Sequence, residues 1–528
     1  MSAMEIKVAR AGAVAAGLVV AAYTAVAMTV RPSMFSDSGW GFLVWDAMRR
    51  GAPFNHGVAP DPADISRDIA GFLTTWSPGQ YVLPGLIEML GASLGAGIVV
   101  TVALASALGL IGWHRLYVAF GFPPLTVAIA VAIVAGSRFF ALPFGIYTGG
   151  EALLFAVAPW VVLAIWKLGE LRWRHLPLLV VGLGALAFAK LSGVVIGVAM
   201  LAGAVLWPGQ PWLGSSTLRR AAIAAVAAAV FGVLLHAVWL SRGWTAASAG
   251  AEWSWQGLPA QLALAANAVW SSSLSLGELT AYLFLHPSRP LLDSLDLVNF
   301  ALAPVAVATL ILVWRRLPPE YARYRLLLTT VAVVYVAILA CISVRGGAVS
   351  PEERHFRPVS LVLLVGMVHV LANLPGRWIR GALAGCAALM ALYGVASFTS
   401  HALANVGKPL DQRGFRHAIA DHAALAFLGS IDRPAADGSR PMVLVTSPEI
   451  GLVLRHARVM SNHADFESED TLHRRVYRGR TARLYVLIQS RLVDSGKAEI
   501  VLRSFKDYPL DSWRKLPLGA FTAFAQEE

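Results

Sequence analysis

The sequence is poor in charge. Asp, Glu, Lys and Arg make up 14% of its 528 residues, against about 25% in soluble globular chains. With 57% hydrophobic residues in long uncharged runs, this excludes an ordinary soluble globule and predicts a polytopic membrane protein. Cysteine is almost missing. The two present, Cys341 and Cys386, both lie in apolar runs, which argues against a disulfide framework and excludes a Cys-based metal site. There is no Walker motif, so nothing points to an ATP-driven pump. There is no internal repeat, and no pair of broken helices of the inverted-repeat transporter kind, although a hinge at Lys190 has that character. Acidic residues are outnumbered, 31 against 43 basic ones, for a net charge of +12. In a soluble chain that excess suggests nucleic acid. Here Lys and Arg gather in short loops and at helix ends, as the positive-inside bias requires, and no nucleic-acid partner is expected.

What is present is a succession of apolar runs. The first follows Lys7 and Arg10 and ends near Val30, a spanning length. It is longer than a signal-peptide core of roughly 7–15 residues, so the expectation is an uncleaved helix with a cytoplasmic N-terminus. A loop over 31–95 follows, holding two short helices expected to lie at the outer surface, GWGFLVWDAMRR and YVLPGLIEML. Further spans are expected at about 97–113, 125–142, 152–166, 176–190, 191–207 and 221–240, then one ending at Arg315-Arg316, and others at 326–344, 357–377 and 382–400. The third leads to an external loop, SRFFALPFGIYTGGE. The fifth and sixth meet at a hinge, Lys190 to Gly193. The basic clusters His114-Arg115, Lys167 to His175, Arg219-Arg220, Arg315 to Arg325 and Arg377 to Arg380 then all fall on one side. That agreement supports about eleven transmembrane helices with the C-terminus outside. Between 241 and 297 the tryptophans Trp244, Trp253, Trp255 and Trp270 suggest an interfacial segment.

From 401 to 528 the composition becomes polar. PMVLVTSPE and ARLYVLIQS read as strands, and DQRGFRHAIADHAALAFLG as an amphipathic helix. This tail is expected to form a small periplasmic or extracellular α/β domain beside a transmembrane domain over 1–400. The charged run HADFESEDTLHRRVYRGR reads as a solvated face or loop.

This topology puts one set of charged groups on the outer side. They are Asp37 and Asp46 in the first loop; Arg138 and Glu151; Lys190 at the hinge; and Glu352, Glu353, Arg354, His355 and Arg357. Asp37 stands only a few residues beyond a membrane helix, where an ionisable group is costly and therefore a functional candidate. Carboxylates beside several cations suit attack by a hydroxyl on a membrane-anchored phosphate ester. The carboxylate takes the proton, and Lys and Arg hold the departing phosphate as its charge grows. Such a scheme needs no cofactor; a divalent metal is compatible with it but not required.

Four stretches in order carry a resemblance to a known family: SDSGWGFLVWDAMRRGAPF, WSPGQYVLPGLIEMLGAS, SRFFALPFGIYTGGEALLFAVAPWVVLAIW and ALAFAKLSGVVIG, with EERHFRPVSLVLL as a weaker fifth. The set resembles the GT-C superfamily of membrane glycosyltransferases, in particular bacterial relatives of the protein O-mannosyltransferases and of the lipid A aminoarabinose transferase. It departs from that pattern where Asp37 is followed by Ser38 instead of a second acid, and at Ser77-Pro78 and His355-Phe356. The resemblance implies a GT-C-like fold at the cytoplasmic (inner) membrane, a polyprenyl-phosphate-linked sugar donor, and a glycan, lipid or protein acceptor at the outer face. It also implies Asp37 and Glu151 as catalytic acids. Lys190, Arg354, Arg138, His355 and Asp46 are the substrate-binding candidates.

Each candidate has a plainer reading. Asp37 can cap the helix after it, Glu151 can favour a helix start, Lys190 can reach for headgroups, and Arg354 can pair with Glu352 or anionic lipid. Asp46, His56 and Glu88 suit structural roles on amphipathic faces. A transporter or flippase of a lipid-linked substrate is the competing function. It calls for ionisable residues deep in the spans, and only His236 and His369 come near that.

Overall fold

The computed structural model describes residues 3–206, 214–243, 255, 258–284, 295–345, 352–436, 438–462, 464 and 467–527. Helix α1 (Ala3–Val30) leads through strand β1 (Ser33–Met34) into α2 (Ser36–Arg49). The hairpin β2 (His56–Asp61) and β3 (Asp64–Phe72) and the helix α3 (Gly79–Met89) precede α4 (Leu94–Ala119). Then come α5 (Pro124–Gly136), α6 (Arg138–Gly145), strand β4 (Ile146–Tyr147) and α7 (Gly150–Leu168). The rest of the bundle is α8 (Leu176–Ala189), α9 (Gly193–Val205), α10 (Ser215–Val238), α11 (Leu258–Ser271), α12 (Leu276–Phe284), α13 (Leu295–Arg316), α14 (Ala322–Val344), α15 (Arg357–Asn373) and α16 (Arg377–Val406).

Among the described residues eight helices are long and apolar enough to cross a membrane: α4, α5 with α6, α7, α10, α13, α14, α15 and α16. The other three expected spans are the shorter apolar stretches Val14–Val30, Trp173–Ala189 and Gly193–Val205. The last two are short because the chain breaks at Lys190, the extended C-cap of α8. The bundle is held by aromatic residues whose polar ends reach neighbouring backbones. Trp113 donates to the Phe155 carbonyl (3.2 Å), Tyr117 to Leu361 (2.7 Å) and Tyr324 to Val362 (2.7 Å). Where both lipid and protein are apolar, such bonds add the directionality that hydrophobicity lacks.

Two expectations for the bundle are corrected. The stretch from Ser137 to Gly145 is not an external loop. Ser137 breaks the third span (ψ 151°), its hydroxyl bonding the Val134 carbonyl at 2.6 Å, and α6 continues it. Arg138 is therefore carried into the bundle. Part of 241–297 is also bundle: α11 buries Ala263, Leu264 and Ala268, and the Ser273 N–H bonds the Ser360 hydroxyl at 2.9 Å. Trp244 and Trp253 lie outside the described residues; Trp255 is exposed.

The C-terminal part holds a five-stranded sheet in the order β6-β5-β7-β9-β8, with β5 (Met442–Val445), β6 (Arg458–Ser461), β7 (Arg483–Gln489), β8 (Arg514–Leu518) and β9 (Phe521–Glu527). Strands β6, β5 and β7 are parallel; β9 runs antiparallel to β7 and to β8. Both faces are covered, which is why the central strands read as unbroken apolar runs. Met442 and Leu444 point into one core, Val443 and Val445 into the other. The first of these cores also takes Ile65 from the β2–β3 hairpin. Of the helix expected over DQRGFRHAIADHAALAFLG, only α17 (His422–Ile431) forms. Asp411 instead organises a turn by accepting the N–H groups of Arg413 (2.9 Å) and Phe415 (3.2 Å), and Asp421 caps α17 through the Ala424 N–H (2.9 Å). The charged run begins just after β6, and within it Glu469–His473 is a short helix; residues 463, 465 and 466 lie outside the described residues.

Candidate active site

Two short strands bring the leading candidates together. Strand β1 pairs in parallel with β4, Ser33 opposite Ile146 and Met34 opposite Tyr147, and the Phe35 N–H bonds the Tyr147 carbonyl at 3.0 Å. A helix starts immediately after each strand. Asp37 sits in the first turn of α2 and Glu151 in the first turn of α7. The pairing therefore sets two helix N-termini side by side, each with a carboxylate where the backbone N–H groups favour negative charge.

The start of α7 also docks onto the hinge. Gly149 has φ +80°, which favours glycine. A Cβ on Gly150 would stand 2.6 Å from the Ala189 carbonyl oxygen. This close approach carries Lys190 to Glu151, Nζ to Oε1 at 2.6 Å. Arg354, from the turn before α15, reaches the same oxygen at 3.3 Å and holds Glu352 at 2.6 Å. Lys190 does not run out to headgroups: its side chain is 20% exposed and its partner's 11%. Glu151, Lys190 and Arg354, from three separate stretches of chain, thus meet as expected.

Asp37 behaves differently. The N-cap of α2 is Phe35 and no side chain caps that end, so capping does not explain the residue. Among the described residues its carboxylate makes no hydrogen bond or ion pair, yet it lies within electrostatic reach of Arg354, Glu151, Glu352 and Lys190. Burial pushes the Asp37 carboxyl above the usual carboxylate range. Arg354 and, more weakly, Lys190 pull it down, while Glu151 and Glu352 push it up. A carboxylate raised in this way is better matched to taking up a proton near neutral pH.

No family model matches the chain, and no curated protein is similar to it in sequence. Among solved structures, ArnT from Cupriavidus metallidurans in the apo state matches with 13% identity and a TM-score of 0.49, covering 96% of this chain and 97% of its own. The same protein bound to undecaprenyl phosphate matches with 12% identity and a TM-score of 0.49, covering 97% of each chain. The arabinofuranosyltransferase AftD from Mycobacteria matches over 96% of this chain with 15% identity and a TM-score of 0.49; the chain spans about 40% of AftD's length. The chemistry of the site rests on this chain's own residues.

A cavity opens beside Glu151. Lys190, Ser192, Arg354, His355 and Arg357 form its polar wall, and Trp113, Phe139, Phe140 and Phe155 its apolar one. It holds about 30 Å³, room for a couple of waters. His355 is placed here as expected, its carbonyl accepting the Tyr335 hydroxyl.

The remaining candidates go elsewhere. Arg138 pairs with Glu278 of α12, donates to the Ser397 hydroxyl (3.1 Å) and lies near Tyr393. Glu278 in turn takes Arg357 at 3.2 Å. Arg138 is thus one pair removed from the cavity, linked to it through Glu278 and Arg357. Asp46 belongs to a different cluster. Arg413, from the segment entering the C-terminal domain, holds Asp46 at 2.6 Å and Glu88 at 3.0 Å, and Glu88 also takes Arg49 (3.2 Å) and the Trp45 indole (3.1 Å). Its ionic partners share nothing with Glu151, so it braces α2 against α3 and the C-terminal segment, in keeping with the structural reading.

Two site residues escaped the sequence reading as such. Arg357 was visible only as one more external charge, and it proves to line the cavity with its guanidinium 4.9 Å from the Phe139 ring. Glu278 was signalled only by being an acid in the apolar run LGELTAYLF. Glu353, beside Arg354, is spent on structure: it accepts the N–H groups of Gly277 (2.9 Å) and Glu278 (3.1 Å).

Proposed function

We propose that the protein is a GT-C-type glycosyltransferase that moves a sugar from a polyprenyl-phosphate-linked donor to an acceptor hydroxyl at the outer face of the cytoplasmic membrane. The observation that carries this reading is the placement of Asp37, a carboxylate without a partner among the described residues, beside Glu151, a carboxylate already clamped by two cations. Asp37 removes the proton of the acceptor hydroxyl as its oxygen attacks the anomeric carbon. The bond from that carbon to the phosphate oxygen breaks, and polyprenyl phosphate leaves. One displacement inverts the anomeric centre. Lys190 and Arg354 turn from Glu151 towards the departing phosphate, where charge-assisted hydrogen bonds strengthen as its charge grows. Glu151 orders the two cations before the donor arrives, and Arg357 stands behind them. The small volume of the cavity means that the donor enters by displacing this pairing, not by filling a ready pocket.

The test uses purified protein in lipid nanodiscs with a panel of polyprenyl-phosphate sugars. Release of free polyprenyl phosphate, enhanced by an acceptor, is the expected result. Lipid binding with no release from any donor, together with transbilayer movement of the same lipid in vesicles, would replace the transferase with a flippase.

A further inference from the structure

A second, larger cleft lies at the same end of the molecule. It encloses about 770 Å³ between α2, the β2–β3 hairpin with the segment after it, and the β6 side of the C-terminal sheet. No spanning helix contributes to its lining. The walls are fastened together. A Cβ on Gly39 would stand 2.5 Å from the Glu449 N, so α2 lies directly against the C-terminal domain. Arg458 holds Asp68 of the hairpin at 2.7 Å and the Ile65 carbonyl at 2.8 Å. The cleft is therefore a fixed feature between two docked parts.

Its lining combines aromatic faces with planar charged groups. Trp40, Trp76, Phe72 and Tyr477 line it together with Asp68 and Arg458. Two buried polar atoms of lining residues, Arg458 Nη2 and Ser461 Oγ, have no partner among the described residues, and such groups call for a ligand or water. Sugars match this pattern: their C–H faces stack on aromatic rings, and their hydroxyls bond charged planar side chains. Its lining comes from α2, the hairpin and the C-terminal domain, with the end of α10 packed behind it through Trp239 on Phe72 and on the Thr74 carbonyl.

Helix α2 connects this cleft to the reaction centre. Trp40, Val44 and Ala47 face the cleft, and their spacing of three and four residues defines one stripe. Asp37 is the next member of that stripe, one turn towards the N-terminus, about 4.5 Å of helix rise from Trp40. It lies where the Glu151 cluster reaches it.

We infer that this cleft is the acceptor site and that the acceptor is a glycan, led along α2 so that its terminal hydroxyl meets Asp37. The inference rests on the transferase reading and adds the substrate class and the binding surface. The test measures binding without donor. Neutral hexasaccharides of mannose, arabinose and galactose are titrated into the full-length protein in nanodiscs, followed by saturation-transfer NMR and calorimetry. The wild type is expected to bind at least one, with affinity roughly tenfold weaker in Trp76→Ala, the usual scale for an aromatic anchor. Trp76→Phe keeps a ring and is expected to stay within about threefold, which separates stacking from loss of fold. No binding of any hexasaccharide, or binding indifferent to Trp76→Ala, overturns the inference even if polyprenyl phosphate is released. Trp76-dependent binding of peptides or lipid headgroups in place of the hexasaccharides overturns the glycan class. Hexasaccharide binding by a wild type that releases no polyprenyl phosphate overturns the acceptor role together with the transferase reading.

Discussion

Two ion clusters lie at the same end of this molecule, and they use their charges in opposite ways. Around Arg413, Asp46 and Glu88 are tied by pairs of 2.6 and 3.0 Å, and the three side chains are 11–15% exposed. Around Glu151, Lys190 and Arg354 share one carboxylate oxygen, and a further carboxylate, Asp37, is left without a partner among the described residues. Helix α2 carries a member of each: Asp46 near its C-terminal end, bound to Arg413, and Asp37 in its first turn, without a partner among the described residues; burial raises both carboxyls, and the direct partner is what separates them. A buried charge that is fully partnered holds parts together. One left without a direct partner beside cations that another carboxylate holds costs stability, and such groups cluster at functional sites.

Substitutions break the comparison in order of size. Asp37→Asn removes the proton acceptor and is expected to lower turnover by roughly 10²–10⁴-fold, the scale of general-base catalysis, read as polyprenyl phosphate released per enzyme. Its stability moves the other way. A carboxyl whose folded pKa is raised stabilises the fold at low pH, and that contribution is lost as pH rises through the raised value. At neutral pH the ionised Asp37 is therefore a cost, and Asn leaves the thermal midpoint unchanged or higher. Arg413→Ala does the reverse. It strands Asp46 and Glu88, costs about 3 kcal/mol, and lowers the midpoint of thermal unfolding in nanodiscs.

Smaller effects sharpen the contrast. Lys190→Met and Arg354→Gln each remove a charged donor worth about 1.5–3 kcal/mol, so each is expected to weaken donor-lipid binding by roughly 10- to 100-fold, measured by titration of the lipid. The pH profile of kcat/KM has an acid limb set by Asp37, above the ordinary carboxylate range. Arg354 is the strongest influence pulling that carboxyl down, so Arg354→Gln moves the limb to higher pH. Glu352 pushes it up, so Glu352→Gln moves the limb to lower pH, and by less, because Glu352 is half exposed. Opposite displacements from neighbouring residues are not expected of a general loss of structure.

The sequence made the bundle legible because apolar length and basic loop ends are local signals. Asp37, Glu151, Lys190 and Arg354 could be gathered from topology alone, since it puts their loops on one side. The partnership inside that group was not legible. It depends on β1 and β4, two-residue strands too short to carry a period, and on Gly150 packing against the Ala189 carbonyl. Asp46 shows the same limit: its partner Arg413 lies 367 positions away, in a stretch whose apparent helical period was overruled by the Asp411 turn. The β2–β3 hairpin was missed because the run HGVAPDPADISRDIAGF is interrupted by prolines and charges, and its apolar anchor, Ile65, is buried by another part of the chain. Strands β8 and β9 were missed because the tail KLPLGAFTAFAQE is short and mixed in pattern.

The most direct measurement is single-turnover release of polyprenyl phosphate at saturating donor lipid, comparing wild type with Asp37→Asn at matched lipid occupancy. The account predicts release by the wild type and its loss in Asp37→Asn with donor binding intact. Equal release by the two proteins, or loss of release together with loss of donor binding, would contradict the assignment of Asp37 as the base.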